Sequence, residues 1–341
     1  MDRKNSEVPL CSKPITVGII YNLKKGIVGK TEDVEAEYDS IDTVTNLKRA
    51  FEADNYIVKL IEADENLPYK LKDTKIDIAF NIAEGSSGRG REAQVPSLLN
   101  MYKIPYTGSD ETTLAMALDK ALTKRYMSTF GVKTPGYMTV SSVEQLKDFN
   151  LNYPVIVKPN AEGSSKGITS FCVAKNDGEL LKLVEKDLEL YGDYMLIEEF
   201  ISGREFTVGM VGNGSSLKVF PPMEIKYKQN LNEFNIYSYE VKKEYLKYIS
   251  YECPANLTSE QLEVMVDSAK KVFNGLKCYD FCRADFMMDK NGEVYFIECN
   301  PLPGLAKGYS DLPMLAAFSG VEYESLVCTI LKDGIERNFI K

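Results

Sequence analysis

Apolar runs and amphipathic stretches alternate along the first hundred residues. Ile15–Tyr21 (ITVGIIY) is a short β-branched run of the kind that forms a buried parallel strand. Asp42–Asp54 follows with Val44, Leu47, Ala50 and Phe51 at helical spacing. Tyr56–Ile61 alternates like a second strand, and Ile76–Ile82 (IDIAFNI) reads as a third. Strand–helix–strand order with short links predicts a parallel, three-layer α/β unit. The polar first 14 residues, with two prolines, read as a loose extension.

The pattern then changes. Thr112–Phe130 reads as one helix ending before Gly131 and Pro135. Tyr153–Lys158 is a strand, followed by a Gly/Ser-rich loop, a strand at Ile168–Ala174, a helix at Gly178–Tyr191 and a strand at Tyr194–Phe200. Strands at Glu205–Val211 and Leu217–Phe220 lead into the polar segment Lys226–Tyr251. That segment lacks clean periodicity and is either a mobile functional loop or partly strand. A helix at Leu257–Leu276 precedes strands Cys282–Met288 and Val294–Glu298, joined by the turn Asp289-Lys-Asn-Gly292.

Composition narrows the chemistry. Among 341 residues there is no histidine, which excludes Ser-His-Asp and Cys-His pairs, His-ligated zinc and a His general base. A net charge of −9 argues against a general nucleic-acid binder. The seven cysteines (Cys11, Cys172, Cys253, Cys278, Cys282, Cys299, Cys328) contain no CxxC pair and read as reduced thiols. Cys278 and Cys282 can share a helix face, but two thiolates without a second pair do not make a zinc site. No apolar run approaches the roughly 20 residues of a membrane span, and the first residues lack an apolar signal core. A soluble, cytoplasmic protein without a membrane partner is expected.

Three clusters carry chemistry. Arg283 and Asp285 lie on one strand face, and Glu298 and Asn300 share a face of its hairpin partner. Three oxygen-bearing groups beside a guanidinium suit Mg²⁺ bridging nucleotide phosphates, with Arg283 stabilising a developing oxyanion. The alternative is a solvated hairpin closed by a salt bridge. Lys158 ends an apolar strand before the Gly163-Ser164-Ser165-Lys166-Gly167 loop, and the two together can grip phosphates. Glu198 and Glu199 end a strand that can run along an adenine edge, with Glu205 placed for ribose hydroxyls. Taken singly, these last two clusters also read as an ordinary loop and exposed charges. Gly29-Lys30-Thr31 ends like a P-loop, but Lys24 stands where that motif needs glycine.

The order of the pieces adds what each lacks alone. Ile104-Pro-Tyr-Thr-Gly-Ser109, Asp119-Lys120…Thr123-Lys124, Val157-Lys158-Pro159…Glu162-Gly-Ser-Ser165, Glu198-Glu199…Glu205, Arg283-Ala-Asp285 and Glu298-Cys-Asn300…Pro303-Gly304 form one series. It resembles the D-alanine–D-alanine ligases of the ATP-grasp superfamily from about Ile15 to Leu331. The resemblance implies an α/β, three-domain ATP-grasp architecture: a 1–14 extension, an N-terminal domain over 15–110, a central subdomain over 111–197 and a C-terminal subdomain over 198–341. It implies ATP and two Mg²⁺ ions, with Mn²⁺ as a substitute. An amino or carboxylic acid substrate is phosphorylated to an acyl phosphate, and an amine displaces the phosphate. Lys120 and Lys158 would hold the ATP phosphates, Glu198 and Glu199 would lie along the adenine, and Glu205 would bind ribose. Asp285, Glu298 and Asn300 would ligate magnesium. Arg283 would stabilise the oxyanion, while Ser164 and Ser310 would touch substrate. The resemblance also implies a homodimer.

Three departures bear on specificity. The family's His-Gly-x-x-Gly-Glu-Asp-Gly loop is replaced by Asn81–Glu92, which adds Arg89 and Arg91. These can hold an acidic substrate or a carrier's phosphate, or pair with Glu84 or Glu92. The Glu-x-Glu-Val-Ser motif appears as Glu35-Ala-Glu37-Tyr38-Asp39-Ser40, in which Glu37 would receive the first substrate's ammonium. Lys242-Lys243 stands where the family carries Lys-Tyr, placing both lysines toward substrate and removing a lid hydroxyl. A ligase for other acids in a specialised pathway, or a nucleotide-binding relative without turnover, therefore stands beside the D-alanine reading.

Overall fold

A computed structural model describes residues 13–26, 35–163, 172–192, 194–228, 234, 236, 241 and 244–339. Ser164, Lys242, Lys243 and the Gly29-Lys30-Thr31 stretch lie outside the described residues.

Three sheets follow one another along the chain. The first is parallel, with β1 (Thr16–Tyr21) between β2 (Ile57–Glu62) and β3 (Ile78–Asn81). Helix α1 (Ile41–Ala53) covers it and starts where the Ser40 side chain accepts from the Thr43 amide. Val44, Leu47, Ala50 and Phe51 are all buried, as their spacing predicts. Helices α2 (Leu67–Asp73) and α3 (Gln94–Tyr102) complete this part.

The expected helix over Thr112–Phe130 is two helices, α4 (Glu111–Leu118) and α5 (Lys120–Ser128). Asp119 separates them. Its extended backbone ends α4, and its side chain accepts from the Leu122 amide to start α5.

The second sheet is antiparallel, in the order β4 (Tyr137–Val140), β7 (Met195–Glu199), β5 (Val155–Pro159), β6 (Val173–Ala174), with α6 (Asp177–Tyr191) against it. The expected domain cut at 197/198 falls inside β7, whose pairing with β5 runs to Glu199. The third sheet is ordered β11 (Ile249–Glu252), β10 (Met223–Tyr227), β8 (Gly203–Val211), β12 (Phe281–Asp289), β13 (Val294–Asn300), with β9 (Lys218–Val219) on β8. In the polar Lys226–Tyr251 stretch, β10, the short helix α7 (Tyr245–Tyr248) and β11 account for the ends.

Helix α8 (Ser259–Gly275), begun by a Thr258–Gln261 capping box, packs behind β12 and β13. The last helices, α9 (Asp311–Phe318) and α10 (Tyr323–Phe339), return to the first sheet, where Leu326, Val327 and Leu331 share a core with Val17, Ile19 and Phe51. Among the described residues no single helix is long and apolar enough to cross a membrane.

Candidate functional site

The β12–β13 register sets Arg283 opposite Asn300 and Asp285 opposite Glu298. Alternate strand residues share a face, so all four project from one side. Arg283 grips Asp285 with two bonds (Nε–Oδ1 3.0 Å, NH2–Oδ2 2.8 Å) and reaches Asp311 at 3.1 Å. Asp285 also accepts from the Thr207 hydroxyl at 2.7 Å and the Asn300 amide at 3.1 Å. Burial raises the Asp285 pKa even against Arg283.

The register slips between Asp285 and Phe286, leaving Ile297 as the extra residue of a bulge. Its carbonyl accepts from the Lys124 ammonium at 2.6 Å. Lys124 is fully buried and lies 2.7 Å from Glu198 Oε1, while Lys158 lies 2.5 Å from Glu198 Oε2. Burial draws the Lys124 pKa down to about 8. Burial works the other way on Glu198, yet the two lysines outweigh it and hold its carboxyl below the ordinary range.

Lys120, one turn before Lys124 on α5, donates to the Glu162 carbonyl at 2.5 Å and stands 3.4 Å from Glu298. Burial alone would raise the Glu298 pKa. Lys120, Lys158 and Arg283 overcome it and bring it to about 2, so this carboxylate stays ionised.

Part of this cluster faces a cavity of about 490 Å³ whose wall includes Glu37, Lys120, Arg283, Glu298, Asn300 and Ser310. Lys158, Glu198, Glu199, Glu205 and Asp285 are outside that wall. Ser310 precedes α9, and its hydroxyl accepts from the Ala306 amide. The Glu198 side chain turns inward to the two lysines, and the Glu199 side chain accepts from Asn152 at 2.7 and 3.0 Å. Glu205 lies on the same β8 face as Thr207. It accepts from Tyr227 at 2.9 Å, and burial brings its pKa to about 7.

The substituted loop closes over the other side of the cavity. Arg91 is buried and binds Glu37 through both Nε (3.0 Å) and NH2. It also donates to the Ala161 carbonyl at 2.8 Å and lies 3.2 Å from Glu162. Arg89 pairs with Asp119 at 2.8 Å. Neither arginine takes the partners the sequence offered, Glu84 and Glu92. Glu92 is buried and Glu84 half-buried, and burial, then neighbouring acids, raises both pKa values, that of Glu92 to about 8. The turn depends on Gly85: its φ is +80°, and a Cβ there would stand 2.1 Å from the Arg91 carbonyl oxygen. Glu37 further accepts from the Gly163 amide at 2.6 Å.

Residues 127–332 match the family model for the D-Ala D-Ala ligase C-terminus. Over 314 residues the chain is 32% identical to the D-alanine–D-alanine ligase of Fervidobacterium nodosum, covering 87% of this chain and 95% of that one. The chain belongs to the D-alanine–D-alanine ligase family. The ligase of Carboxydothermus hydrogenoformans is 34% identical over 87% of this chain and 94% of its own. The fold of this family member matches the crystal structure of the Bacillus anthracis D-alanine–D-alanine ligase complexed with ATP, with a TM-score of 0.74 at 23% identity over 96% of this chain and 99% of that one.

Sequence reasoning gave no role to Lys124, Asp311 or Asn160, which takes part in positioning Lys120 by accepting from its backbone amide at 3.1 Å. One signal was present for Lys124: it stands four residues after Lys120, on the same face of α5.

Proposed function

We propose that this family member is an ATP-dependent carboxylate–amine ligase of the D-alanine–D-alanine ligase type, forming an amide bond through an acyl phosphate. The observation that carries the reading is the cavity where ionised Glu298, Lys120, Arg283 and Asn300 meet. Lys120 and Lys158 hold the phosphates of ATP, and Glu205 takes the ribose. Arg283, fixed by Asp285 and Asp311, presents charge to the oxyanion that forms when the amine attacks. Ser310 and the Gly163–Ser164 loop meet substrate. Glu37 takes the first ammonium in partnership with Arg91, and Lys242 and Lys243 contact substrate.

The donor set fits magnesium. Asp285, Glu298 and Asn300 offer hard oxygens from one hairpin face, and Asn300 spends its amide NH₂ on Asp285, leaving its oxygen as an acceptor. These three residues would hold the ion, whose charge neutralises phosphate oxygens when bound. The same reading carries three units divided near 110/111 and at the end of β7, working as a cytoplasmic homodimer on small acids without nucleic-acid or membrane partners.

The test is ADP release by purified protein offered ATP and magnesium with single and paired amino acids. D-alanine alone is expected to stimulate release, and Glu298→Gln is expected to abolish it with an unchanged melting temperature. Stimulation only by other acids would keep the ligase and remove D-alanine. No stimulation by any acid would overturn the reading.

A further inference from the structure

Behind the hairpin that carries Arg283 and Glu298 lies a cluster the ligase reading leaves unused. Cys278, Cys282 and Cys299 are all buried, with sulfurs within 4.8 Å of one another. Cys282 Sγ is 3.3 Å from Cys299 Sγ. On β12, Cys282 shares its face with Ala284 and Phe286, opposite to Arg283 and Asp285. Cys278 arrives from the turn between α8 and β12, where Lys277 and Asp280 adopt left-handed φ values of 58° and 64°. Three separate segments thus converge on one point.

The spacing suits a shared ion. Three sulfurs around a metal at about 2.3 Å stand about 4 Å apart, inside the range seen here. Thiolates select soft, thiophilic ions over the hard magnesium of the front face. No further Cys, Asp or Glu joins the cluster among the described residues. Burial on all sides leaves no open coordination position for substrate, which makes this a structural site.

We propose that Cys278, Cys282 and Cys299 form a three-thiolate site for a soft d¹⁰ metal ion, Cu⁺ or Zn²⁺, that ties the turn before β12 to the back of the β12–β13 hairpin. Binding exchanges thiol protons for the ion and forms metal–sulfur bonds without any redox step. The two ions differ in need. Cu⁺ is satisfied by three sulfurs, whereas Zn²⁺ takes a fourth ligand, for which the Ser109 hydroxyl beside Cys278 is placed.

The test uses the full-length protein, reduced with a phosphine under nitrogen. It is incubated with Cu⁺ or Zn²⁺ in separate arms, desalted, and assayed for bound metal and for sulfur ligands by X-ray absorption. One ion per chain with three sulfurs near 2.3 Å is expected in at least one arm. Cys282→Ser and Cys299→Ser should each weaken retention by on the order of 100-fold, the upper end of what even outer-shell changes give. Cys253→Ser, whose thiol donates to the Pro221 carbonyl away from the cluster, should retain the ion. Loss of zinc but not copper in Ser109→Ala would support the site and identify the fourth ligand. Retention of neither ion, two or fewer sulfurs, or unchanged retention in both cysteine variants would overturn the proposal. If a variant fails to fold, the sulfur count on the unaltered protein decides alone.

Discussion

Glu198 sits inside the protein with a lysine on either side, at 2.7 Å (Lys124) and 2.5 Å (Lys158). Removing the carboxylate leaves two buried ammoniums without their counter-charge. Breaking a buried pair from one side costs about 3–5 kcal/mol. Glu198→Ala should therefore lower unfolding free energy by that amount in urea titration, and a loss under about 1 kcal/mol would mean the lysines find other partners. Glu92 sets a pH dependence. Burial, then Glu37, raises its pKa from 4.5 to about 8, so the native state keeps a proton the unfolded chain releases. Its stabilising contribution is full below pH 4.5 and is lost as pH rises through 8. The melting temperature should fall across that window, and fall less in Glu92→Gln, which has no proton to release; equal slopes in the two proteins would refute this. At this scale the sequence was readable where a carboxylate interrupts an apolar run, as in FCRADFMM and VYFIECN. It was silent on the pairing of Glu198 with Lys124 and Lys158, because the approach of two distant lysines leaves no local pattern.

Helix α5 starts where the sequence suggested an uninterrupted helix. The apolar spacing of Thr112–Phe130 continues through Asp119, so periodicity alone could not find the break. Cap chemistry could have found it: an aspartate followed by a helix-forming run is an N-cap signal. Asp119 does three jobs, accepting from the Leu122 amide at 2.9 Å and the Asn160 amide at 2.8 Å, and pairing with Arg89. The break turns Lys120 toward Glu298 at the first residue of α5. Asp119→Ala should cost about 1–2 kcal/mol by loss of the cap and should weaken ATP binding more than binding of the second substrate. Unchanged stability with unchanged ATP affinity would show that the break is held by packing instead. The β12–β13 hairpin was legible from its turn Asp289–Gly292, whose register carried onward would set Asp285 opposite Ile297 rather than Glu298. The bulge at Ile297 was not, since one extra residue leaves no mark in an apolar strand.

At the scale of the molecule, the cavity joins parts of the chain that are far apart in sequence. Glu37 belongs to the first sheet's neighbourhood, Lys120 to α5, Gly163 to the loop after β5, and Glu298 to β13. Buried Asp280 ties the ends together, accepting from the Gly108 amide at 2.7 Å and from Arg337 of α10 at 2.8 Å. The succession of elements and the order of motifs disclosed the family's architecture, because strand and helix periods are local. The pairing of Arg91 with Glu37 was hidden, because it depends on how the loop before α3 folds back across the cavity. In the proposed reaction that pairing bears on which substrate enters, whereas Arg283, Asp285, Glu298 and Asn300 bear on what is done to it. In the proposed reaction a substrate carboxylate attacks the terminal phosphate of ATP. Supplying the acid substrate with ¹⁸O in its carboxylate tests this directly. One ¹⁸O is expected in each inorganic phosphate released as the amide forms. Amide formation with phosphate free of ¹⁸O would contradict it.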